Sequence, residues 1–590
     1  MGLKPEQSNN NGFWAGLIIE ELVRLGCTMF FISPGSRSSP LVSAIGRHTG
    51  TQTCVHYDER GGAFAALGYS RTSSKPAVWV TTSGTAVANG LPAVIEASVD
   101  SIPLILLTAD RPPELKETGA NQTIPQSDLF GKYVRWHVDI PTPSDEISPT
   151  FVLTTVDQSV YRATSHRGPV HLNCMYRKPL ATGSQEYEKA RSDVRLSRWV
   201  SDQNPYTQYA RADKIGRSSD LTKIGAALGR AKRPICVLGR VADIRCAKHA
   251  LTWAEQSGIP VLPDITSGFR LGTEGESLIP YYDLMTSSDR FSLGMKPDAV
   301  IQVGRTPVSK QIQTFLSESP PDLYVLVSDG PERQDPNHLV SNRLDLSEPG
   351  VESFFSGMNS QVNVEEEWLA AWKDGSNRIE TWLGDRLGGA TESKLSEQAV
   401  AYRLCSLLPE SHQLNLASSL PIRHVNTFSS SLGNPVQIVA NRGASGIDGT
   451  IATAAGSQRG TGKKTTVLLG DLAMLHDMNS LVLARDGGLI LVVLNNNGGG
   501  IFEYLPIQSQ ADVFEPLFAT PHGLDFEHAA KQFGLSYHAP TNLTQFSEVY
   551  STALERDTAS LIEVKTDRKE TKAFGDRLME EAERVLLGDS

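Results

Sequence analysis

Two short polar clusters late in the chain carry the most legible chemistry. Gly470 and Asp471 close an apolar run, TTVLL (465–469), and Asn495, Asn496 and Asn497 close another, LILVVL (489–494). Between them Leu472, Leu475, Met478, Leu481 and Val482 fall at helical spacing, so the segment reads as strand, helix, strand. Such a unit crosses over right-handedly and pairs its strands in parallel. Parallel strands end on one edge, which predicts that Asp471 meets the asparagines. One carboxylate, amide oxygens and nearby carbonyls make a hard, all-oxygen site of the kind Mg²⁺ takes when a ligand's phosphates complete its shell. The amino end of the intervening helix favours an anion beside it. The residues therefore predict a metal–diphosphate anchor.

Charged residues of the other sign also sit after apolar runs. TMFFIS (28–33) leads into a turn holding Ser36 and Arg37, and IPLILLT (102–108) leads to Arg111. QLNLAS (413–418) precedes Ser419 and Arg423, and VQIVAN (436–441) precedes Arg442. QTCVHYDE (52–59) ends at Glu59, and AVWVTTS (77–83) ends at Ser83, followed by Gly84. Guanidinium groups bind carboxylates bidentately and stay charged, so four arginines beyond strand ends suit an acidic substrate.

The elements that must position these residues alternate strand with helix, as in WAGLIIEELVRLG (14–26) before TMFFIS. That pattern predicts parallel sheets covered on both faces, with ligands bound beyond the carboxyl ends of the strands. VHLNC (170–174) reads as the last strand of a first domain. A second α/β run begins near Ser218, with PICVLG (234–239), PVLPD (260–264), AVIQVG (299–304) and LYVLVSD (323–329). It reads as Rossmann-like, yet no G-x-G-x-x-G follows a strand, so nothing argues for NAD or FAD. Lys310 lies six residues past its third strand. A third run starts with the helix EQAVAYRLCSLL (397–408) and ends with SLIEVKTD (560–567) and a charged helix. The expected fold class is α/β, with three consecutive parallel-sheet domains at 1–185, 216–360 and 393–590. Polar stretches at 186–215 and 361–392 read as linkers. The first and third domains share a layout, although no fixed-period repeat joins them.

At 590 residues the chain is too long for one core. Its net charge of −11 excludes a general nucleic-acid binder but not a locally basic site. Six cysteines, at 27, 54, 174, 236, 246 and 405, include no CxxC pair, which fits a reducing cytoplasm and argues against zinc or a disulfide frame. The first residues, MGLKPEQSNNNG, lack an apolar signal core, and no apolar run reaches bilayer length. The expected location is cytoplasmic, with no nucleic-acid partner and no membrane insertion.

Gly470-Asp471 with Asn495-Asn496 two dozen residues later resembles the signature of thiamine-diphosphate enzymes, although the family's usual Gly-Asp-Gly is here Gly-Asp-Leu472. VTTSGTAVANGLPAVIEA, within 55–97, resembles that family's pyrimidine-binding domain. ISPGSRSSPL (32–41), HYDERG (56–61), LTADRPPEL (107–115), GANQTI (119–124), NRGASGIDG (441–449) and VVLNNNGGGIF (492–502) together are similar to one branch of the family. That branch joins 2-oxoglutarate, after decarboxylation, to isochorismate in menaquinone and phylloquinone biosynthesis. The resemblance implies pyrimidine, central and diphosphate domains. It implies thiamine diphosphate with Mg²⁺ or Mn²⁺, and a homodimer or dimer of dimers with active sites at the subunit interface. It makes Glu59 the carboxyl group against the cofactor's aminopyrimidine, the one catalytic acid, with Ser83, Gly84, Ile447, Gly470, Asp471, Leu472, Ala473 and Asn496 also at the cofactor. Asp471, Asn496 and the Gly498 carbonyl become metal ligands, and Ile447 the apolar wedge that bends the cofactor. Ser36, Arg37, Arg111, Gln122, Lys310, Ser419, Arg423 and Arg442 become substrate positions, capped by Ile501, Phe502 and Leu505. Some relatives carry Lys-Arg where this chain has Lys310-Gln311. His56, His424 and His476 are read as structural or supporting. An acetolactate synthase or other 2-oxoacid decarboxylase, and a non-catalytic binder of thiamine diphosphate or a nucleotide, are the alternatives. The missing dinucleotide fingerprint disfavours the first, and the pairing of Glu59 with the anchor disfavours the second.

Overall fold

The computed structural model describes residues 10–180, 194–330, 332–358, 362–389 and 395–588. The apolar runs become the central strands of three sheets, and every ladder is parallel. The first sheet contains β1 (Met29–Ile32), β2 (Gln52–Val55), β3 (Ala77–Thr81), β4 (Leu104–Asp110), β5 (Trp136–Ile140) and β6 (Pro169–Met175), in the order β2-β1-β3-β4-β6-β5. The second contains β7 (Pro234–Leu238), β8 (Val261–Pro263), β9 (Ala299–Val303), β10 (Leu323–Ser328) and β11 (Asn342–Asp345), in the order β11-β10-β9-β7-β8. The third contains β12 (His412–Leu416), β13 (Gln437–Ala440), β14 (Lys464–Gly470), β15 (Ile490–Asn495), β16 (Ser536–His538) and β17 (Ser560–Lys565), in the order β13-β12-β14-β15-β17-β16.

The first and third orders are the same once the numbers are offset, which gives the shared layout a structural basis. The middle sheet corrects the Rossmann-like reading. Followed from β8, its strands run second, first, third, fourth, fifth, which is the flavodoxin order of doubly wound sheets. In the first and third sheets the order reverses between β1 and β3, and between β12 and β14. These are the switch points where a crevice opens.

The chain divides into two compact units. The first holds residues 1–211, 441–462 and 476–487, with the first sheet and the helix Thr450–Thr461. That helix packs closely along Glu59–Ser73 because both present small residues. A Cβ on Gly68 would sit 2.1 Å from the Thr453 carbonyl, and one on Gly456 would sit 1.8 Å from that of Ala65. The second unit holds residues 212–440, 463–475 and 488–590, with the middle and third sheets.

Three expectations need correction. The stretch 361–392 is largely regular where it is described: residues Trp368–Gly388 form a 21-residue helix, while 361 and 390–392 lie outside the described residues. Trp372, Ile379, Leu383 and Leu387 are completely buried on one stripe of it, which its polar composition hides. Within 186–215, Ser197–Ser201 is helical, and Leu196 and Trp199 enter the first unit's core; residues 186–193 lie outside the described residues. The single helix expected between β14 and β15 is broken at Asp477, giving Asp471–His476 and Leu481–Gly487 on either side.

Candidate active site

The second unit carries the residues expected to form the anchor. β14 and β15 pair Gly470 with Leu494, so Asp471 leaves one strand where Asn495 closes the other. Asp471 is buried; its Oδ2 accepts from Gly498 N at 2.8 Å and its Oδ1 from Leu472 N at 2.7 Å. Gly498 has φ +133°, and a Cβ there would sit 2.0 Å from the Ala519 carbonyl. Only glycine brings this backbone to the carboxylate.

The three asparagines divide the work. Asn495 donates to Glu563 Oε1 at 2.5 Å and holds the strand end. Asn497, with φ +63°, shapes the turn and accepts from His522 N and Gly523 N at 2.9 and 2.7 Å. Asn496 Nδ2 donates to Glu397 Oε1 at 2.9 Å. A carboxylate can only accept, so Glu397 fixes which way that amide points. Asn496 Oδ1 is then buried with no hydrogen-bond partner among the described residues. An unsatisfied buried acceptor costs about 1–3 kcal/mol, and a cation would satisfy it. Asp471, Asn496 Oδ1 and the neighbouring carbonyls thus fit a small, hard divalent ion.

Glu397 is fully buried. Burial pushes its carboxyl up, but His424, Asn496 and Thr566 together hold it below its ordinary value. His424 Nε2 lies 3.2 Å from its Oε2. His522 supports Asp471: Leu524 N donates to Nδ1 at 3.0 Å, which leaves the ring proton on Nε2, 3.1 Å from Asp471 Oδ2. Burial raises the Asp471 carboxyl above its ordinary value despite the Gly498, His522 and Leu472 hydrogen bonds. A cation would oppose that rise. Arg568 donates to the Asn497 carbonyl at 2.6 Å and to Glu515 at 2.7 Å, tying the asparagine turn to the segment after it.

Beside the anchor, Ser419 follows β12 with φ +76°, a strained setting for a serine at the switch point. Gly470 has open space where a Cβ would stand. Leu472 is half-buried and Ala473 buried. Arg423 lies on the helix Leu420–Phe428. Lys310 is exposed as the first residue of Lys310–Glu318. Ile501 and Phe502 are half-buried, while Leu505, Leu517 and Leu524 are exposed at 39, 69 and 52%.

In the first unit, Glu59 is half-buried and opens the helix Glu59–Ser73, with Asp58 capping it by accepting from Arg60 N at 3.0 Å. Arg37 is 3% exposed; it donates to the Tyr176 carbonyl at 2.6 Å and faces no carboxylate among the described residues. A buried guanidinium without a counter-charge is costly unless an anion joins it. Ser83 Oγ donates to the Gln122 carbonyl at 3.0 Å, and Arg111 to the Asn121 carbonyl at 2.8 Å. One short segment thus ties the ends of β3 and β4. Gly84 has φ +89°, and a Cβ there would meet Gln122 Cγ at 2.9 Å. Ser36 is exposed in the turn after β1. Arg442 and Ile447 are half-buried on a loop held by carboxylates at both ends. Glu96 accepts from Gly443 N and Ala444 N at 2.8 and 2.7 Å, and Asp477 from Ile451 N and Ala452 N at 2.7 and 3.0 Å. His56 is buried against Gly61, and His476 pairs with Arg60.

Comparison with known proteins finds matches over nearly the whole chain. Residues 14–129 match the N-terminal binding domain of thiamine pyrophosphate enzymes, 191–416 their middle domain and 425–564 their C-terminal binding domain. A 2-succinyl-5-enolpyruvyl-6-hydroxy-3-cyclohexene-1-carboxylate synthase of Rubrobacter xylanophilus is 47% identical over 574 residues, covering 96% of this chain and 98% of its own. The chain belongs to this synthase family. The synthase of that name from Salinibacter ruber is 42% identical, with 98% of each chain covered. The thiamine diphosphate-dependent 4-hydroxybenzoylformate decarboxylase of Rhodococcus jostii RHA1 shares the fold, with a TM-score of 0.70 at 15% identity, covering 94% of this chain and 99% of its own.

For this synthase family member, sequence reasoning missed Glu397, His522 and Arg568. Glu397 left a signal, since it shares a helical stripe with the buried Val400, Ala401 and Leu404. His522 left none, because it sits in a loop without periodicity.

Proposed function

We propose that the chain decarboxylates 2-oxoglutarate and adds the remaining four-carbon unit, in 1,4-fashion, to isochorismate. The products are 2-succinyl-5-enolpyruvyl-6-hydroxy-3-cyclohexene-1-carboxylate and CO2, a step of menaquinone and phylloquinone biosynthesis. The observation that carries this reading is full-length similarity to synthases of that name, joined to a site whose residue types suit the chemistry. Bound thiamine diphosphate supplies the carbon nucleophile and holds the electron pair that CO2 leaves behind.

The chain's own residues do the rest. Asp471, Asn496 Oδ1 and the Gly498 carbonyl would hold Mg²⁺ or Mn²⁺, with Glu397 orienting Asn496 and His522 orienting Asp471. Ser83, Gly84, Gly470, Leu472 and Ala473 would line the cofactor, and Ile447 would press on it from its clamped loop. Glu59 holds a proton at the pyrimidine ring nitrogen. Both substrates are dianions, and Arg37, Arg111, Lys310, Arg423 and Arg442 supply fixed positive charge despite the acidic total, with Ser36, Gln122 and Ser419 as hydrogen-bonding partners. Ile501, Phe502 and Leu505 close the site against water.

The working form is a homodimer or a dimer of dimers in which one copy supplies Glu59 and another the anchor. In its support, Val55 and Tyr57, 59 and 62% exposed, precede Glu59, and Leu505, Leu517 and Leu524 follow the anchor in sequence, side chains that association would cover. Six free, buried cysteines fit a reducing cytoplasm, and no described helix is long and apolar enough to cross a membrane. The test is incubation of purified protein with thiamine diphosphate, Mg²⁺ and 2-oxoglutarate or pyruvate, with and without isochorismate. CO2 release from 2-oxoglutarate with the adduct mass is expected; turnover of pyruvate alone would overturn the reading.

A further inference from the structure

Lys310 and Arg423 come from different sheets of the second unit, yet one buried side chain reaches the elements of both. Asp283, 5% exposed, lies on the short helix Tyr282–Met285 of the middle domain. Its Oδ1 accepts from Ser309 Oγ and its Oδ2 from Thr427 Oγ1. Ser309 immediately precedes Lys310 and caps the helix Lys310–Glu318, accepting from Ile312 N at 3.1 Å. Thr427 lies four residues after Arg423, one turn along the same helical face. Neighbouring contacts brace the same pair of elements. Asp264 Oδ2 accepts from Val308 N at 2.6 Å, and Asn426 Oδ1 from Ile265 N at 3.0 Å.

A dicarboxylate is rigidly read only when the cations that meet it keep a fixed spacing, because a misplaced charge loses most of its hydrogen-bonding geometry. Lysine and arginine side chains are long, so the spacing must be set at their backbones. We propose that Asp283 is a positioning residue that fixes the spacing of Lys310 and Arg423 by gripping Ser309 with one carboxylate oxygen and Thr427 with the other. The inference rests on the reading of Lys310 and Arg423 as substrate cations.

The test is steady-state kinetics of the full chain loaded with thiamine diphosphate and Mg²⁺, varying 2-oxoglutarate and isochorismate in turn. Thr427→Val removes one arm without changing side-chain size. It raises KM for at least one of the two substrates about tenfold, the scale of a lost hydrogen bond to a charged group, with kcat within about twofold. Thr427→Ser, which keeps the hydroxyl, restores KM, and Ser309→Ala reproduces the rise. In a Lys310→Met background Thr427→Val costs less than about twofold more, since a spacing needs both ends. A Thr427→Val enzyme with unchanged KM for both substrates, beside Lys310→Met and Arg423→Met enzymes whose KM rises, overturns the proposal and leaves the substrate reading standing. Unchanged KM in Lys310→Met and Arg423→Met overturns both. A fall in thermal midpoint without any KM change assigns Asp283 a purely structural role and also overturns the proposal.

Discussion

The first and third sheets have one strand order and one switch point each, yet their edges are dressed for opposite tasks. Beyond β1 and β3 the first sheet offers a buried, uncompensated Arg37, a hydrogen-bonded Ser83 and a left-handed Gly84. Beyond β12 and β14 the third offers a strained Ser419 and a buried Asp471 beside an amide oxygen with nothing to accept from. Topology decides where a ligand can sit, and residue type decides what it is. Even the shared irregularity has two causes. The crossover after β3 is interrupted at Asn89 and Gly90, where a Cβ on Gly90 would strike the Trp79 ring at 2.4 Å. The crossover after β14 breaks at Asp477, whose carboxylate is committed to the amino end of Thr450–Thr461.

If the edges divide the labour in this way, substitutions on them must fail differently. Asp471→Ala has the largest expected effect: Mg²⁺-dependent binding of thiamine diphosphate, followed by calorimetry, falls below detection, because the hard anionic ligand is gone. Glu59→Gln comes next, with turnover reduced roughly 10²–10⁴-fold, the range for a lost acid–base group, in a chain of unchanged circular dichroism. Glu397→Gln is milder. It removes the carboxylate that fixes Asn496, so Mg²⁺ affinity in the presence of thiamine diphosphate drops about tenfold, as for other residues that orient a ligand.

The smallest effect concerns the break in the third sheet's crossover. Burial pushes the Asp477 carboxyl up to about 6 despite the amide hydrogen bonds it accepts. A raised carboxyl favours the folded chain at low pH, and that contribution is lost as pH rises from the ordinary value of about 4 through 6. Asp477→Asn keeps the shape and cannot ionise. Its stability in denaturant melts should therefore gain on the native chain by ~2–3 kcal/mol between about pH 4 and pH 7. A constant gap would mean that the residue acts through shape alone.

What was legible in the sequence follows the same division between central and marginal elements. Fully buried strands such as β3, β4 and β15 announce themselves as apolar runs. The strands that went unread, β5, β11 and β16, are all sheet edges. WHVDI is mostly half-buried, NRLD buries one residue and SYH is three residues long, so none carries an apolar run. The meeting of Asp471 with the asparagine turn was legible because both clusters punctuate central strands. Its support was less so: Glu397 left only a misplaced charge on an apolar stripe, and His522 reaches Asp471 from a loop. The helix 368–388 was hidden by its arginines, aspartates and glycines, although Trp372, Ile379, Leu383 and Leu387 were spaced to be buried together.

The division of labour is tested most directly by calorimetric titration of thiamine diphosphate into Glu59→Gln with and without Mg²⁺. Tight, Mg²⁺-dependent binding within about threefold of the unsubstituted chain is expected, since differential effects of this acid belong to the reaction rather than to uniform binding. Loss of that binding in Glu59→Gln, or its survival without the metal, would contradict that division.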